Sequence, residues 1–381
     1  MDLSAVPVVD NHAHPLTLSQ PRTAEELRAH FGEAHSEVLA REHIASAGHY
    51  RWAIRQLGQL LGTESGEAAI LERRAGQPLA SYARELVSAA NIGVLLIDEG
   101  YPPPDRSYSA DEMERMLEIP VRRMLRIETL LQQLMQTAEG FSELAARFDE
   151  ATSHLRRRGY VALKSIAAYR TGLQIDAVEE REAERAFEAE RREAKGNAAY
   201  RLESKPLIDH FVWRAIRHAA VQEIPIQFHT GYGDPDLDLR LANPLHLRPL
   251  FEDRSLVSAP IVLLHASFPY TAEAAFLAAV YPNAYLDLAF SLPPLGRLEL
   301  FRIVETALGV APASKLMCSS DGTSIPEHYW LGAVRAREAL SVVLGRMQDG
   351  NELSAGDCEE FGRMVLHDTA MRVYRLDSRS E

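Results

Sequence analysis

The sequence has little cysteine, no long apolar run and fewer basic than acidic residues. Its two cysteines, Cys318 and Cys358, cannot form a disulfide framework, and no CxxC motif occurs, so we expect a reducing compartment. No uninterrupted apolar stretch approaches the ~20 residues that cross a bilayer, and residues 1–10 lack the basic start of a secretory signal. The expected location is the cytoplasm, without a membrane partner.

The charge balance bears on the kind of partner. The 381 residues include 41 Lys and Arg against 54 Asp and Glu, which gives a formal net charge of −13. Because no basic field is available to attract a polyanion, we expect no nucleic-acid partner. A small-molecule substrate is the expected partner, and a homodimer stays open.

Short β-rich runs alternate with helical patterns, which is typical of βα units around a parallel sheet. Eight runs predict strands at residues 6–9, 91–97, 122–127, 160–166, 224–229, 261–265, 284–288 and 315–319. They favour an α/β fold, a (β/α)₈ TIM barrel formed as one domain over residues 1–381, with all strand carboxyl ends on one rim. No glycine-rich phosphate loop follows the last two strands, which argues against a flavin- or phosphate-binding barrel.

Three stretches depart from a minimal barrel. Residues 20–90 are helical and too long for an ordinary connection, so we predict a helical insertion between strands one and two, over the catalytic rim. Residues 177–205 are highly charged and predict a solvated helix with i,i+4 charge pairs. About the last 30 residues predict a terminal helix packed on the barrel.

The strongest local signal is a His-x-His pair directly after the first strand. In extended backbone, side chains two apart share a face, so His12 and His14 can both point into the barrel mouth. Two imidazoles on one face supply half of a metal site, and zinc is the expected ion. A lone His-x-His is more often a surface pair, and only its position after an N-terminal apolar strand favours a metal site.

Four further ionisable groups end predicted strands in the same way: Lys164, His229, His265 and Asp321. Polar groups at the carboxyl ends of barrel strands are typical of catalytic sites. Each also has a structural explanation. Either histidine could hydrogen-bond within the core, Asp321 could cap the next helix, and Lys164 could pair with a carboxylate. Their order along the chain carries the metal-site hypothesis.

That order of groups resembles the amidohydrolase superfamily, and the similarity covers almost the whole chain. The segments KSIAAYRTGL, QFHTGYGDPDLDLRLANP, LLHASFPYTAEAAFLAAVYPNAYLDL and SSDGTSIPEHYWLG are similar to the amidohydrolase-related group. In FluG-type proteins the same module is joined to a glutamine-synthetase-like domain. A non-catalytic barrel would lack these ligands, so the resemblance implies an enzyme.

The resemblance implies a role for each group. One divalent metal would bind His12, His14 and Asp321, and a second would bind His229 and His265. Lys164, carboxylated by carbon dioxide, would bridge the two ions. Asp321 and His265 would be the catalytic groups that move protons. The implied reaction is hydrolysis of an amide or related C–N bond by a metal-activated water.

Other readings of the site stay open. In some relatives the His-x-His pair, the strand-five histidine and the strand-eight aspartate hold a single metal. The strand-six histidine is then an acid/base, and several of those relatives are decarboxylases. Arg170, Tyr169 and Arg240 lie on presumed rim loops and are predicted to contact a substrate carboxylate, since Arg suits planar bidentate contact. Surface ion pairs would explain them equally well. A γ-glutamyl amide is a substrate suggested only by analogy with the fused relatives.

Overall fold

The computed structural model describes residues 1–34, 36–290 and 294–377, and a single eight-stranded sheet organises it. Its strands, all parallel and paired in chain order, are β1 (Val8–Ala13), β2 (Ile92–Asp98), β3 (Val121–Arg126), β4 (Tyr160–Ser165), β5 (Ile226–Phe228), β6 (Ile261–Leu263), β7 (Ala284–Ala289) and β8 (Leu316–Ser319). Beyond β8 the chain returns to β1, where Asp321 N donates to His12 O at 3.0 Å and His14 N donates to Gly322 O at 2.7 Å. The predicted TIM barrel is confirmed.

Helices surround the strands. They are α1 (Ala24–Ala29), α2 (Glu37–Glu42), α3 (Gly48–Leu61), α4 (Glu67–Ala75), α5 (Leu79–Ala89), α6 (Ala110–Leu117), α7 (Ile127–Met135), α8 (Phe141–Thr152), α9 (Glu180–Ala194), α10 (Lys205–Gln222), α11 (Arg248–Glu252), α12 (Thr271–Val280), α13 (Arg297–Val310), α14 (Pro326–Asp349), α15 (Ala355–Arg363) and α16 (Thr369–Tyr374). In the part of the chain that the structure describes, none of these helices combines the length and apolarity needed to cross a membrane.

Strand side chains divide between two apolar clusters. The larger cluster joins the outer faces of the strands to the helices. The smaller one fills the barrel interior with residues such as Val9, Leu96 and Met317, and it includes Tyr374 of α16. The Tyr374 hydroxyl accepts from Gln227 Nε2 at 2.7 Å. The C-terminal segment therefore packs on the barrel as predicted, although as two α-helices joined by a π-helical stretch at Met364–Asp368.

The first strand differs most from its predicted bounds. The apolar run ends at Val9, but β1 continues to Ala13 through three buried polar residues. Asp10 and Asn11 stay in the strand because both find partners: the Asp10 carboxylate accepts from Ser320 N at 2.8 Å, and Asn11 Nδ2 donates to Asp287 Oδ1 at 2.7 Å. Burial with these bonds places His12 inside the strand rather than after it.

The insertion between β1 and β2 contains α1 to α5 and is tied to the barrel by a buried ion pair. Arg74 of α4 donates through Nε to Glu327 Oε1 of α14 at 2.5 Å, and both side chains are almost fully buried. Tyr82 of α5 donates to the same oxygen at 2.9 Å, and Gln20 Oε1 accepts from Arg74 Nη2 at 2.8 Å. This network fixes the insertion over α14, which follows the loop that carries Asp321.

We expect Arg74→Ala to lower the free energy of unfolding by about 3 kcal/mol, because it leaves the Glu327 carboxylate buried without a cation. The matched control is Arg73→Ala, one residue earlier, whose pair with Glu85 is one-third exposed on both sides. That variant should cost under about 1 kcal/mol. Urea unfolding followed by circular dichroism measures both. Equal costs for the two variants would show that the buried network does not anchor the insertion.

The charged run forms α9, but it is an amphipathic helix rather than a fully solvated one. Ala183, Phe187 and Ala194 are buried on one face. The remaining surface is charged, and Arg191 pairs with Glu188 three residues earlier at 3.6 Å. Phe187 packs its ring 6.2 Å from that of Phe141 in α8. The sequence therefore predicted the helix and understated its contact with the barrel helices.

Candidate metal centre

Asp321 lies where the carboxyl ends of β8 and β1 meet, and its two oxygens face three histidines. Oδ1 is 3.3 Å from His12 Nε2 and 3.6 Å from His14 Nε2, while Oδ2 is 3.3 Å from His265 Nδ1. The aspartate adopts a left-handed backbone with φ 52°. Asp321 is not a helix cap, because the N-cap of α14 is Ile325. The chain thus presents one carboxylate to three imidazoles.

His265 is held by an unusual turn after β6. Its φ is 62°, and the two following residues also have positive φ. Its backbone N donates to Asp287 Oδ2 at 3.2 Å, and Ser319 Oγ donates to the same oxygen at 2.9 Å. A run of positive φ at non-glycine residues is costly and persists only where surrounding contacts impose it. Asp287 of β7 supplies that contact from beneath the site.

His229 and Lys164 complete the ring of groups that the sequence predicted. The His229 ring centroid is 4.4 Å from that of His265. Lys164 is fully buried at the end of β4, with Nζ 3.2 Å from His12 Nε2, and it forms no ion pair with a carboxylate of the described residues. The salt bridge that would have explained this lysine structurally is therefore not found. A buried amine without a carboxylate is costly unless another group joins it.

The imidazoles suit metal binding because their lone pairs are available. Burial lowers the pKa of His12, His229 and His265 well below the ordinary value, which keeps them neutral. His14 Nδ1 lies 3.2 Å from Asp98 O and 3.0 Å from Tyr101 O, so its proton is placed there and Nε2 is left toward Asp321. A ring nitrogen that donates to a backbone carbonyl is typical of metal-bound histidine.

One buried ring nitrogen that faces Asp321 is suited to a metal. His265 Nδ1 makes no hydrogen bond with the described residues and lies 3.3 Å from Asp321 Oδ2. The ligand atoms of His12, His265 and Asp321 all lie within 4.8 Å of one another. Three nitrogen and oxygen donors at such separations fit a divalent ion such as zinc. The residues present therefore fit a metal. The resemblance assigns His12 and His265 to two different ions, whereas here both lie close to the same aspartate.

A cavity of about 530 Å³ opens above these groups, a volume within the usual range for small-molecule sites. Its wall includes residues from the barrel loops and from the insertion, with His30 and Glu33 coming from the turn after α1. The predicted insertion over the catalytic rim therefore supplies part of the wall of the site. Burial and then the negative charges of Asp321 and Asp234 raise the pKa of Glu33 to about 8.

Two of the three predicted substrate contacts lie in this cavity and one does not. Arg170 and Tyr169 line it, and the buried Nε of Arg170 has no partner among the described residues. The Tyr169 ring lies 4.4 Å from that of His229. Arg240 is 87% exposed, pairs with Asp238 and is absent from the cavity wall, so the prediction for Arg240 is corrected. Its side chain turns outward to its own loop.

Two charged residues of the cavity region were missed from the sequence. Asp98 ends β2 and is fully buried, and Arg126 ends β3 and lines the cavity. Arg126 Nη2 donates to Asp98 Oδ2 at 2.7 Å. Both are ionisable residues at the carboxyl end of a strand, the feature that identified Lys164 and His229. A search for ionisable residues at the ends of all eight strands would have found them.

The eight-stranded parallel barrel carries neutral histidines, a buried lysine and an aspartate on its carboxyl rim. This arrangement defines a barrel of the metal-dependent hydrolase type. The sequence profile of the amidohydrolase family matches residues 9–376, so the chain belongs to that family. The family resemblance predicted from the motifs is confirmed. Membership supports an enzyme that uses a divalent metal.

The relatives agree with this assignment. Protein fluG of Emericella nidulans is 30% identical over 400 residues, covering 97% of this chain and 46% of fluG, so the chain spans about half the length of that relative. A crystal structure from Lactobacillus casei ATCC 334, described as a candidate metal-dependent hydrolase, is 28% identical with a TM-score of 0.88 and covers 98% of this chain and 96% of its own. A uronate isomerase of Bacillus halodurans C-125 is 12% identical with a TM-score of 0.65, and the match covers 98% of this chain and 94% of the isomerase. At that identity the similarity shows the fold alone.

Proposed function

We propose that this protein hydrolyses an amide or related C–N bond in a small substrate that carries a carboxylate. The observation that carries the proposal is the convergence of His12, His265 and Asp321, whose ligand atoms lie within 4.8 Å of one another. His265 and Asp321 also line the cavity. The family membership and the similarity to a candidate metal-dependent hydrolase support hydrolysis. The choice of a C–N bond and of a carboxylate-bearing substrate belongs to the proposal.

The ligand set supports one or two divalent ions, with zinc as the proposed metal. His12, His14 and Asp321 would hold one ion, and His229 with His265 would hold the other, with Lys164 as the proposed bridge between the two ions. When bound, such ions supply a Lewis acid and a water of lowered pKa. Imidazole nitrogen with carboxylate oxygen is a donor set that suits zinc.

The protein's own groups would move the proton and hold the substrate. Asp321 is the carboxylate nearest three imidazoles, and its oxygen would take a proton from the attacking water and pass it to the leaving nitrogen. Arg170 has a buried Nε without a partner among the described residues, which a substrate carboxylate would satisfy. Tyr169 closes the wall beside His229 and limits the access of water.

A substrate and metal screen tests the proposal. The purified protein is analysed for metal content and then assayed against acyl amides that carry a carboxylate, the matching esters and the matching carboxylic acids. We expect bound zinc and release of ammonia or an amine. The des-carboxy amides are the control and should be cleaved about 10- to 100-fold more slowly, since they leave the Arg170 guanidinium unpaired.

Three outcomes would contradict all or part of the proposal. Carbon dioxide released from the carboxylic acids, with no amine from the amides, would indicate a decarboxylase on the same barrel. Turnover that survives complete removal of metal by a chelator would exclude the proposed site. Equal cleavage of amides with and without the carboxylate would remove the substrate assignment and leave the metal site standing.

A further inference from the structure

Glu33 contributes a carboxyl group to the cavity from the turn between α1 and α2. Its side chain is partly buried and makes no hydrogen bond or ion pair with the residues that the structure describes. Its raised pKa, near 8, follows from burial and from the neighbouring negative charges of Asp321 and Asp234. A cation placed beside such a carboxyl group would lower its pKa and stabilise its charged form.

Two tyrosine side chains share the cavity with Glu33. Tyr101 and Tyr169 both line it, and in both the pKa is raised by burial and then by the charges of Asp234 and Glu33. The two phenols are thus within the field of the Glu33 carboxyl group. Aromatic faces beside a carboxylate form a favourable environment for an ammonium group.

Arg170 lines the same cavity. Its buried Nε has no partner among the described residues. After burial, the charges that act most strongly on its pKa belong to Arg201, Glu128 and Arg126 rather than to Glu33. Among the described residues, neither the buried Arg170 Nε nor the Glu33 carboxyl group of this cavity has a hydrogen-bond partner. A ligand with a single charge would satisfy only one of them.

We propose that the substrate is zwitterionic, an amino-acid derivative whose free ammonium group is bound by Glu33 and whose carboxylate is bound by Arg170. The inference rests on the proposed function, because the bond that is cleaved would be the one held at the metal centre. The insertion thereby becomes a specificity element, since it brings the Glu33 carboxyl group to the cavity that Arg170 lines. A cavity of about 530 Å³ accommodates a ligand of this size.

The test is a binding comparison that needs no turnover. Three amino acids of different charge spacing are titrated by calorimetry into the purified full chain, each against its des-amino partner: L-glutamate with glutarate, 4-aminobutyrate with butyrate, and 6-aminohexanoate with hexanoate. We expect at least one amino acid to bind about 10- to 100-fold more tightly than its partner, the range of a charge-assisted hydrogen bond. Glu33→Gln should reduce that amino acid to the affinity of its partner.

The matched control is Glu72→Gln, an exposed glutamate in the middle of α4 in the same insertion, which should keep the full preference. Equal binding within all three pairs, no binding of any compound, or a preference that survives Glu33→Gln would each overturn the inference. The proposed function fails separately. Glu33-dependent binding without cleavage of any amide would contradict the hydrolase and leave the zwitterion site standing.

Discussion

Asp321→Asn is expected to lower kcat/KM for the hydrolysed substrate by about 10³-fold or more, within the range for loss of a group that transfers a proton. Both oxygens of Asp321 face histidines, at 3.3 and 3.6 Å for Oδ1 and 3.3 Å for Oδ2. Asparagine keeps the size of the side chain and tolerates the left-handed backbone at φ 52°, which alanine does not. The variant removes the charge and leaves the fold intact.

The matched control is Asp238→Asn. Asp238 lies outside the cavity wall, and its one ion pair among the described residues is with the exposed Arg240. This variant should retain wild-type turnover. Metal content measured on the same samples separates the two roles of Asp321, because loss of metal assigns a ligand and retention assigns a proton carrier. His12→Ala should be inactive as well. Wild-type activity in both Asp321→Asn and His12→Ala would refute the site.

The candidate site was predictable from the sequence because barrel topology converts position along the chain into position in space. His12 and Asp321 are about three hundred residues apart in the chain, with Lys164, His229 and His265 between them, yet each lies in or just beyond the end of an apolar run. Parallel strands joined by right-handed crossovers end on one rim, so a polar residue at each end must face its counterparts. No contact had to be guessed to predict that convergence.

The features that the sequence did not predict depend on loops and on the ends of strands. Arg240 follows a strand-five motif in the sequence, but its loop turns the side chain to solvent and to Asp238. Glu33 belongs to an insertion whose helices are predictable, although their placement depends on the buried pair of Arg74 and Glu327. Loop direction and helix docking are tertiary outcomes, and local periodicity does not encode them.

Lys164→Ala is expected to reduce the metal content from two ions per chain to one and to lower kcat/KM by about 10³-fold, comparable to loss of a proton-transfer group. Lys164 is the buried amine closest to the histidines, with Nζ 3.2 Å from His12 Nε2 and no carboxylate partner among the described residues. Burial lowers the pKa of Lys164 to about 8. A fraction of neutral amine is then available to add carbon dioxide, forming a carbamate and releasing one proton.

Lys315→Ala is the matched control because burial also lowers the pKa of Lys315 to about 8. That lysine donates to backbone carbonyls, including Ala284 O at 3.2 Å, and lies over the Tyr285 ring rather than beside the histidines. If a lowered pKa alone made a lysine a carbamate, the unsubstituted protein would give two carbamate signals from ¹³C-labelled bicarbonate, one from each lysine. We expect one signal, lost in Lys164→Ala and kept in Lys315→Ala, because metal ions stabilise the carbamate only where imidazoles hold them. Two ions bound to Lys164→Ala would contradict the bridge, and the histidines with Asp321 would then hold the metal without it.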